Sequence, residues 1–324
     1  MIADHRYDDE PRLRLGVSAC LLGRPVRFDG GDKRDTFLTE ALARFVDWVP
    51  VCPEEEAGLG TPREAMRLVH HGGAERLVAV RSQRDLTDTL TDFAVTRVPQ
   101  LIALNLDGFV LKKDSPSCGL TRVKVYSAHG VPARTGRGVF AAALCAALPT
   151  LPVEDEGRLH DPAIRENFFE RVYAFRRVRR LLKDGTRVGH LVQFHTQHKL
   201  QLLAHSPAQY TTLGRLVAHE RATAPERVRA DYGRAFTTAL TTIVTRARHV
   251  NVLQHTAGYF RRVLSPAARR DVAAAIVDYQ RSLTPLVVPL RLIEHYARLH
   301  DVGYLCNQTY LNPYPHELML RNHV

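Results

Sequence analysis

Phe109-Val110-Leu111-Lys112-Lys113-Asp114-Ser115-Pro116-Ser117-Cys118-Gly119 decides how this chain is read. Its apolar start reads as a buried strand, and the run stops abruptly in a polar turn of Asp, Ser, Pro and Gly. A cysteine sits in that turn beside two hydroxyls and two lysines. Two further cysteines stand in the same kind of place: Cys20 after Leu15-Gly16-Val17-Ser18-Ala19, and Cys52 after Trp48-Val49-Pro50-Val51. In an open parallel sheet, ligands bind at the carboxyl ends of the strands. Three strand ends can therefore deliver three thiols to one point.

The residues on either side extend this pattern. Residues 1–11 read as a loose tail. Strands are expected at 13–19, 48–51, 108–112, 122–126 and 151–153, with a hairpin of 66–69 and 76–81 around Gly72-Gly73. Helices are expected from Asp35 or Thr36 to about Val46, over 86–104 and over 138–148. This alternation predicts an α/β domain over 12–155, Rossmann-like, with a mainly parallel sheet. From 161 onward the periodicity becomes helical throughout. Segments 165–183, 187–204, 207–218, 225–246, 250–264, 266–283 and 286–299 predict an all-α domain over 156–324, with prolines 207, 225, 266 and 285 where helices begin or break.

Composition narrows the setting. No run of about 18 apolar residues is present, so no membrane span is expected. The polar N-terminus has no signal-peptide core, which points to the cytoplasm. Thiols stay reduced there, so the five cysteines read as metal ligands, catalysts or core residues rather than disulfides. The formal charge of +11 is uneven: residues 1–153 carry 20 Lys+Arg against 19 Asp+Glu, and the rest 25 against 15. A basic C-terminal half points to a polyanion, with nucleic acid first. The alternative is a scattered solvated surface. Arg176-Arg177-Val178-Arg179-Arg180 poses the same choice, between phosphate contacts and a solvated helix face.

Three cysteines in polar turns fit a [4Fe-4S] cluster with one open iron, or zinc with a fourth ligand from histidine or water. The competing reading is three small core residues, since free cysteine is often buried. Cys145, with apolar neighbours throughout, and Cys306 read as packing. Glu54, two residues after Cys52, can activate water or carry protons; alternatively the run Glu54-Glu55-Glu56 complements a helix N-terminus. Ser115 can orient substrate or cap its own turn. Of Lys112 and Lys113, strand alternation lets one face the site. Asp29, Lys33 and Arg63 are polar loop residues near the expected cleft. His198 and His205 share a helix face without an acidic helper, and read as buried histidines or an RNA-facing edge.

These residues resemble a known family. Ser18-Ala19-Cys20-Leu21-Leu22-Gly23, Arg27-Phe28-Asp29-Gly30, Cys52-Pro53-Glu54 with Gly58-Leu59 and Pro62-Arg63, and Lys113-Asp114-Ser115-Pro116-Ser117-Cys118-Gly119 look like the thiouracil desulfidase (TudS) family. Gln197-His198-Lys199 through Leu203-Ala204-His205-Ser206-Pro207, with Tyr210 and Leu213-Gly214-Arg215-Leu216, looks like a YbgA-type helical domain. The fused pair is similar to the RudS-type desulfidases of 4-thiouridine in transfer RNA. The resemblance implies a [4Fe-4S] cluster on Cys20, Cys52 and Cys118, with the open iron taking the thiocarbonyl sulfur. It implies Glu54 and Ser115 as catalytic residues, and tRNA carrying 4-thiouridine, or small thiolated pyrimidines, as partner. Asp29, Lys33, Arg63 and Lys113 are then expected to bind substrate. Ala57 departs from the pattern, where related sequences often have glycine.

Overall fold

A computed structural model describes residues 10–183, 188–219 and 225–323. The chain divides into two compact units, Met1–Asp161 and Pro162–Val324. Most of the expected N-terminal tail lies outside the described residues.

The first unit carries eight strands: β1 (Leu13–Ser18), β2 (Val46–Val51), β3 (Met66–His71), β4 (Ala74–Ala79), β5 (Gly108–Leu111), β6 (Val123–Tyr126), β7 (Pro132–Gly136) and β8 (Val153–Asp155). One sheet is fully parallel in the order β2-β1-β5-β8. Its central strands β1 and β5 are almost wholly buried, as their apolar runs require. The second sheet, β4-β3-β6-β7, is mixed and was not expected as a separate sheet. Its edge strand β7 is polar and exposed, so no alternation marks it in the sequence.

Three helices complete this unit: α1 (Pro53–Glu56), α2 (Thr87–Ala103) and α3 (Val139–Ala147). Phe93 of α2 and Phe109 of β5 both pack on Phe140 of α3, with centroids 6.1 and 6.0 Å away. Gly16 lies opposite Phe109 in the β1–β5 register, and a β-carbon there would overlap the Phe109 ring. The helix expected from Asp35 to Val46 is instead a single π-turn, Phe37–Ala41. Asp35 does cap it, accepting from the Leu38 N–H at 3.1 Å. The chain then turns, because the Phe45 carbonyl already accepts from Leu13 at the start of β1.

The second unit is helical: α4 (Pro162–Leu181), α5 (Val188–His205), α6 (Pro207–His219), α7 (Pro225–Ala239), α8 (Arg246–Ala257), α9 (Pro266–Gln280), α10 (Val287–Leu299) and the short α11 (Gly303–Cys306). The expected helix 225–246 stops at Ala239. The cause is the β-branched run Thr241-Thr242-Ile243-Val244-Thr245, which loses rotamer freedom in a helix. Thr245 instead caps α8, which starts four residues earlier than expected. One apolar cluster joins α4 to α7, and another joins α8 to α11 with the end of α5.

His195, His198, His205 and His249 are all buried in this unit. His198 Nδ1 meets the Phe194 carbonyl at 2.7 Å, and His205 Nδ1 meets the Thr242 carbonyl at 2.6 Å. The RNA-facing alternative for this pair therefore gives way to core hydrogen bonding. Burial pushes His195 down to about 4 and His249 to about 3, so neither carries charge at neutral pH. The basic run of α4 is likewise not one solvated face. Arg176 is buried, and Arg177 donates twice to the Pro313 carbonyl at 2.9 Å.

Candidate active site

The carboxyl ends of β1, β2 and β5 open onto one cavity of about 370 Å³, and Cys20, Cys52 and Cys118 all line it. Each thiol is placed by a short local structure. Cys20 lies in the 3-10 turn Ala19–Leu22, and its carbonyl accepts from Gly23 at 3.2 Å and Lys33 at 3.0 Å. Cys52 is the N-cap of α1, and the Glu56 carboxylate reaches back to its N–H at 2.9 Å in the manner of a capping box. Part of the acidic run is thus helix capping, and Glu54 remains free of that duty.

Cys118 sits in a loop clamped by the start of α3. The N–H groups of Val139 and Phe140 donate to the Pro116 and Ser117 carbonyls at 3.1 and 3.0 Å. These are first-turn donors that a helix must satisfy from outside. Gly138 allows the close approach, since a β-carbon there would overlap the Ser117 carbonyl.

Burial raises the Cys20 thiol to about 11, with the neighbouring Cys52 adding to it. Burial likewise raises Cys118 to about 12 and Cys52 above its ordinary value. Metal-free, the three groups are protonated at neutral pH and poor nucleophiles, whereas a bound metal deprotonates them. Among the described residues, no three His, Cys, Asp or Glu side chains converge to hold one metal ion. Three soft thiol donors lining one cavity are the donor set an iron–sulfur cluster takes.

Glu54 and Ser115 also line the cavity. One Glu54 oxygen pairs with Arg63 and the other accepts the Ser117 hydroxyl. Ser117 is wholly buried, and its Oγ lies 3.0 Å from Ser115 Oγ. Sequence reasoning singled out the two ends of this chain and missed its middle.

The expected substrate-binding residues separate. The Arg63 side chain is only 6% exposed, and besides Glu54 it donates to the Val26 and Gly60 carbonyls. Arg63 therefore orients Glu54 from within the wall. Asp29 does not line the cavity; its carboxylate accepts from Gly31 at 3.1 Å and pairs with Arg27. Lys33 and Lys113 are exposed at the cavity, while Lys112 is tied to Glu156. Both lysines of the pair reach the cavity, because the strand ends at Leu111 and alternation no longer applies. Phe28 also lines it with 41% of its surface exposed, an aromatic whose role its place in Arg27-Phe28-Asp29-Gly30 does not reveal.

Asp155, at the end of β8, accepts from the Leu120 N–H, two residues after Cys118, at 3.0 Å. Burial raises it to about 6, with Glu156 and Glu154 adding repulsion. Its folded value lies above the unfolded one, so its favourable contribution is complete below pH 3.8 and is lost as pH rises through about 6. The scale is about 3 kcal/mol. Asp155→Asn, which keeps an acceptor for Leu120, is expected to melt several degrees above wild type at pH 7.5 and level with it at pH 4. An equal offset at both pH values would exclude the ionisation as its source.

Comparison with known proteins agrees with this architecture. Residues 15–156 match the family 2-thiouracil desulfurase, and residues 199–315 match a protein family of unknown function, DUF1722. The chain is 33% identical over 154 residues to the uncharacterized protein YbgA of Escherichia coli (strain K12), covering 47% of this chain and 90% of that protein. It is 30% identical over 136 residues to the uncharacterized protein YbbK of Bacillus subtilis (strain 168), covering 40% and 87%. A solved structure, the [4Fe-4S]-dependent thiouracil desulfidase TudS, is similar at 31% identity over 46% of this chain and 95% of its own, with a TM-score of 0.38. The chain belongs to the 2-thiouracil desulfurase family of enzymes and carries a DUF1722 domain after it. Among the described residues, no helix is long and apolar enough to cross a membrane.

Proposed function

We propose that this chain is a [4Fe-4S]-dependent desulfidase that converts 4-thiouridine in tRNA to uridine by hydrolysis, releasing sulfide. The observation that carries this reading is the meeting of three thiols with Glu54 and Ser115 in one cavity. A cluster held by Cys20, Cys52 and Cys118 would leave one iron open as a soft Lewis acid for a thiocarbonyl sulfur.

The chain's own residues serve the rest of the reaction. Phe28 offers an exposed ring face against which a pyrimidine can stack. Lys33 and Lys113 place positive charge where a nucleotide phosphate would lie. Glu54, fixed by Arg63 on one oxygen, is the base that ends up with the proton released as a water oxygen adds at the C=S carbon. The product keeps the oxygen, the sulfur leaves as sulfide, and no external electrons are needed. The basic helical unit supports RNA as the carrier of the base, through phosphate contacts. A buried tRNA base must first be exposed to reach the thiols.

The cavity volume also favours a second reading, the same chemistry on free thiouracil or a thionucleotide, since about 370 Å³ suits a single small molecule. Anaerobic turnover of 4-thiouridine tRNA, 4-thiouridine monophosphate and 2-thiouracil separates the two. The tRNA reading expects the highest kcat/KM for tRNA, falling steeply with salt. A salt-independent preference for the free base would replace it with the second reading.

A further inference from the structure

Both oxygens of Glu54 are already engaged, Oε2 by Arg63 and Oε1 by Ser117. A base acting directly on water would have to use a lone pair beside one of these donors. The hydrogen bonds around the two serines show another route. Ser115 Oγ accepts from two backbone N–H groups, Ser117 at 3.3 Å and Cys118 at 3.1 Å. Those donors occupy its lone pairs and leave its own hydrogen to give away. Ser117 has one hydroxyl hydrogen and two acceptors in reach, Glu54 Oε1 and, at 3.8 Å, Cys118 Sγ; the nearer, harder carboxylate oxygen takes it. In the 3.0 Å contact between the two hydroxyls, Ser115 is therefore the donor. The chain has a fixed direction, Ser115 to Ser117 to Glu54, and it is buried at Ser117, where water cannot break it.

We infer that Ser117 is a positioning residue that connects Ser115 to Glu54, so that Glu54 withdraws a proton from the substrate side through two hydroxyls rather than by direct contact. The inference rests on the desulfidase reading above. In the step, the Ser117 proton passes to Glu54 Oε1 and the Ser115 proton passes to Ser117 Oγ; the lone pair this frees on Ser115 Oγ takes a proton from the attacking water as the water oxygen's electron pair forms the C–O bond. Both serines end neutral, and Glu54 holds the one proton removed. The N–H groups of Ser117 and Cys118 stabilise charge on Ser115 Oγ during the transfer, as an oxyanion hole does.

The test is a set of variants in the iron-loaded protein: Ser117→Ala, Ser115→Ala and the double variant, with iron content and thiouracil turnover measured for each. Ser117→Ala is expected to lower kcat roughly 100-fold, the scale of a lost proton-transfer partner, with KM nearly unchanged. The double variant should be no slower than the slower single variant, because the hydroxyls act as one unit. In the metal-free protein, the Glu54 carboxylate stretch, taken as the wild type minus Glu54→Gln infrared difference, should move in Ser117→Ala. Losses that multiply in the double variant, or a Ser117→Ala rate within threefold of wild type, would overturn the inference. Should Ser117→Ala fail to hold iron, Ser117→Thr and Ser117→Val replace it; equal rates for this hydroxyl and methyl pair would overturn it too. An inactive wild type with full iron would instead remove the desulfidase reading itself.

Discussion

Cys118→Ser is expected to abolish thiobase turnover, by at least about a thousand-fold, the scale on which one member of a catalytic unit matters. The substitution keeps nearly the same volume at a buried position, so the loop held by α3 should stay folded. The carbonyls that clamp the loop belong to Pro116 and Ser117 and are untouched. What changes is the donor: a soft thiolate gives way to a hard, barely acidic hydroxyl that iron binds poorly. Iron content after anaerobic reconstitution should fall together with activity, while the melting temperature stays within a few degrees of wild type. Cys145→Ser is the matched comparison. Cys145 lies half-buried in α3, away from the cavity lining, and its loss should leave both iron and turnover unchanged. Equal losses from both variants would mean that the three strand-end thiols are not special.

Arg321→Met is expected to have the second largest effect, on stability rather than chemistry. Arg321 is buried near the C-terminal end, with Nε 2.8 Å from Glu166 and a second nitrogen 4.0 Å from Glu170. It also donates to the Tyr310 carbonyl at 2.7 Å and lies over the Tyr310 and Tyr314 rings. Burial works against an ionised Glu170, but His205, Arg321 and Gln201 outweigh it and hold the carboxyl well below its usual range. Removing the guanidinium takes the shared cation from two buried carboxylates, leaving Glu170 with His205 and Glu166 with His323, at a cost of about 3 kcal/mol. For a helical unit of this size that lowers Tm by on the order of 10 °C. Adding Glu166→Gln and Glu170→Gln to Arg321→Met should restore much of the loss, because no unpaired charge then remains buried. A triple variant less stable than the single one would show that the arginine acts through packing alone.

The contrast between these two sites shows what the sequence makes legible. Strand-end thiols are visible because an apolar run that stops at Gly, Pro or Ser marks its own end, and the cysteine stands at the stop. A mainly parallel sheet is expected from such runs alternating with helices; the order β2-β1-β5-β8 is set by pairings the runs do not encode. The second sheet depends on Leu68 pairing with Val125, and on a polar edge strand that has no pattern of its own. Ser117 looked like turn chemistry because its partner Glu54 is 63 residues away. Arg63 read as a substrate-binding loop cation because sequence shows a charge but not the carbonyls of Val26 and Gly60 that enclose it. The same limit hid the buried pairing of Arg321 with Glu166, which joins positions 155 residues apart.

The most direct measurement uses iron-loaded protein, a thiolated pyrimidine substrate and water enriched in oxygen-18, with no electron donor present. Mass spectrometry of the product base and assay of released sulfide are read together. One labelled oxygen and one sulfide per turnover, both absent in Cys118→Ser, is the result expected of a hydrolytic desulfidase built on the three-cysteine cavity. Sulfur retained in the substrate by the fully loaded wild type, or product oxygen that does not come from water, would contradict it.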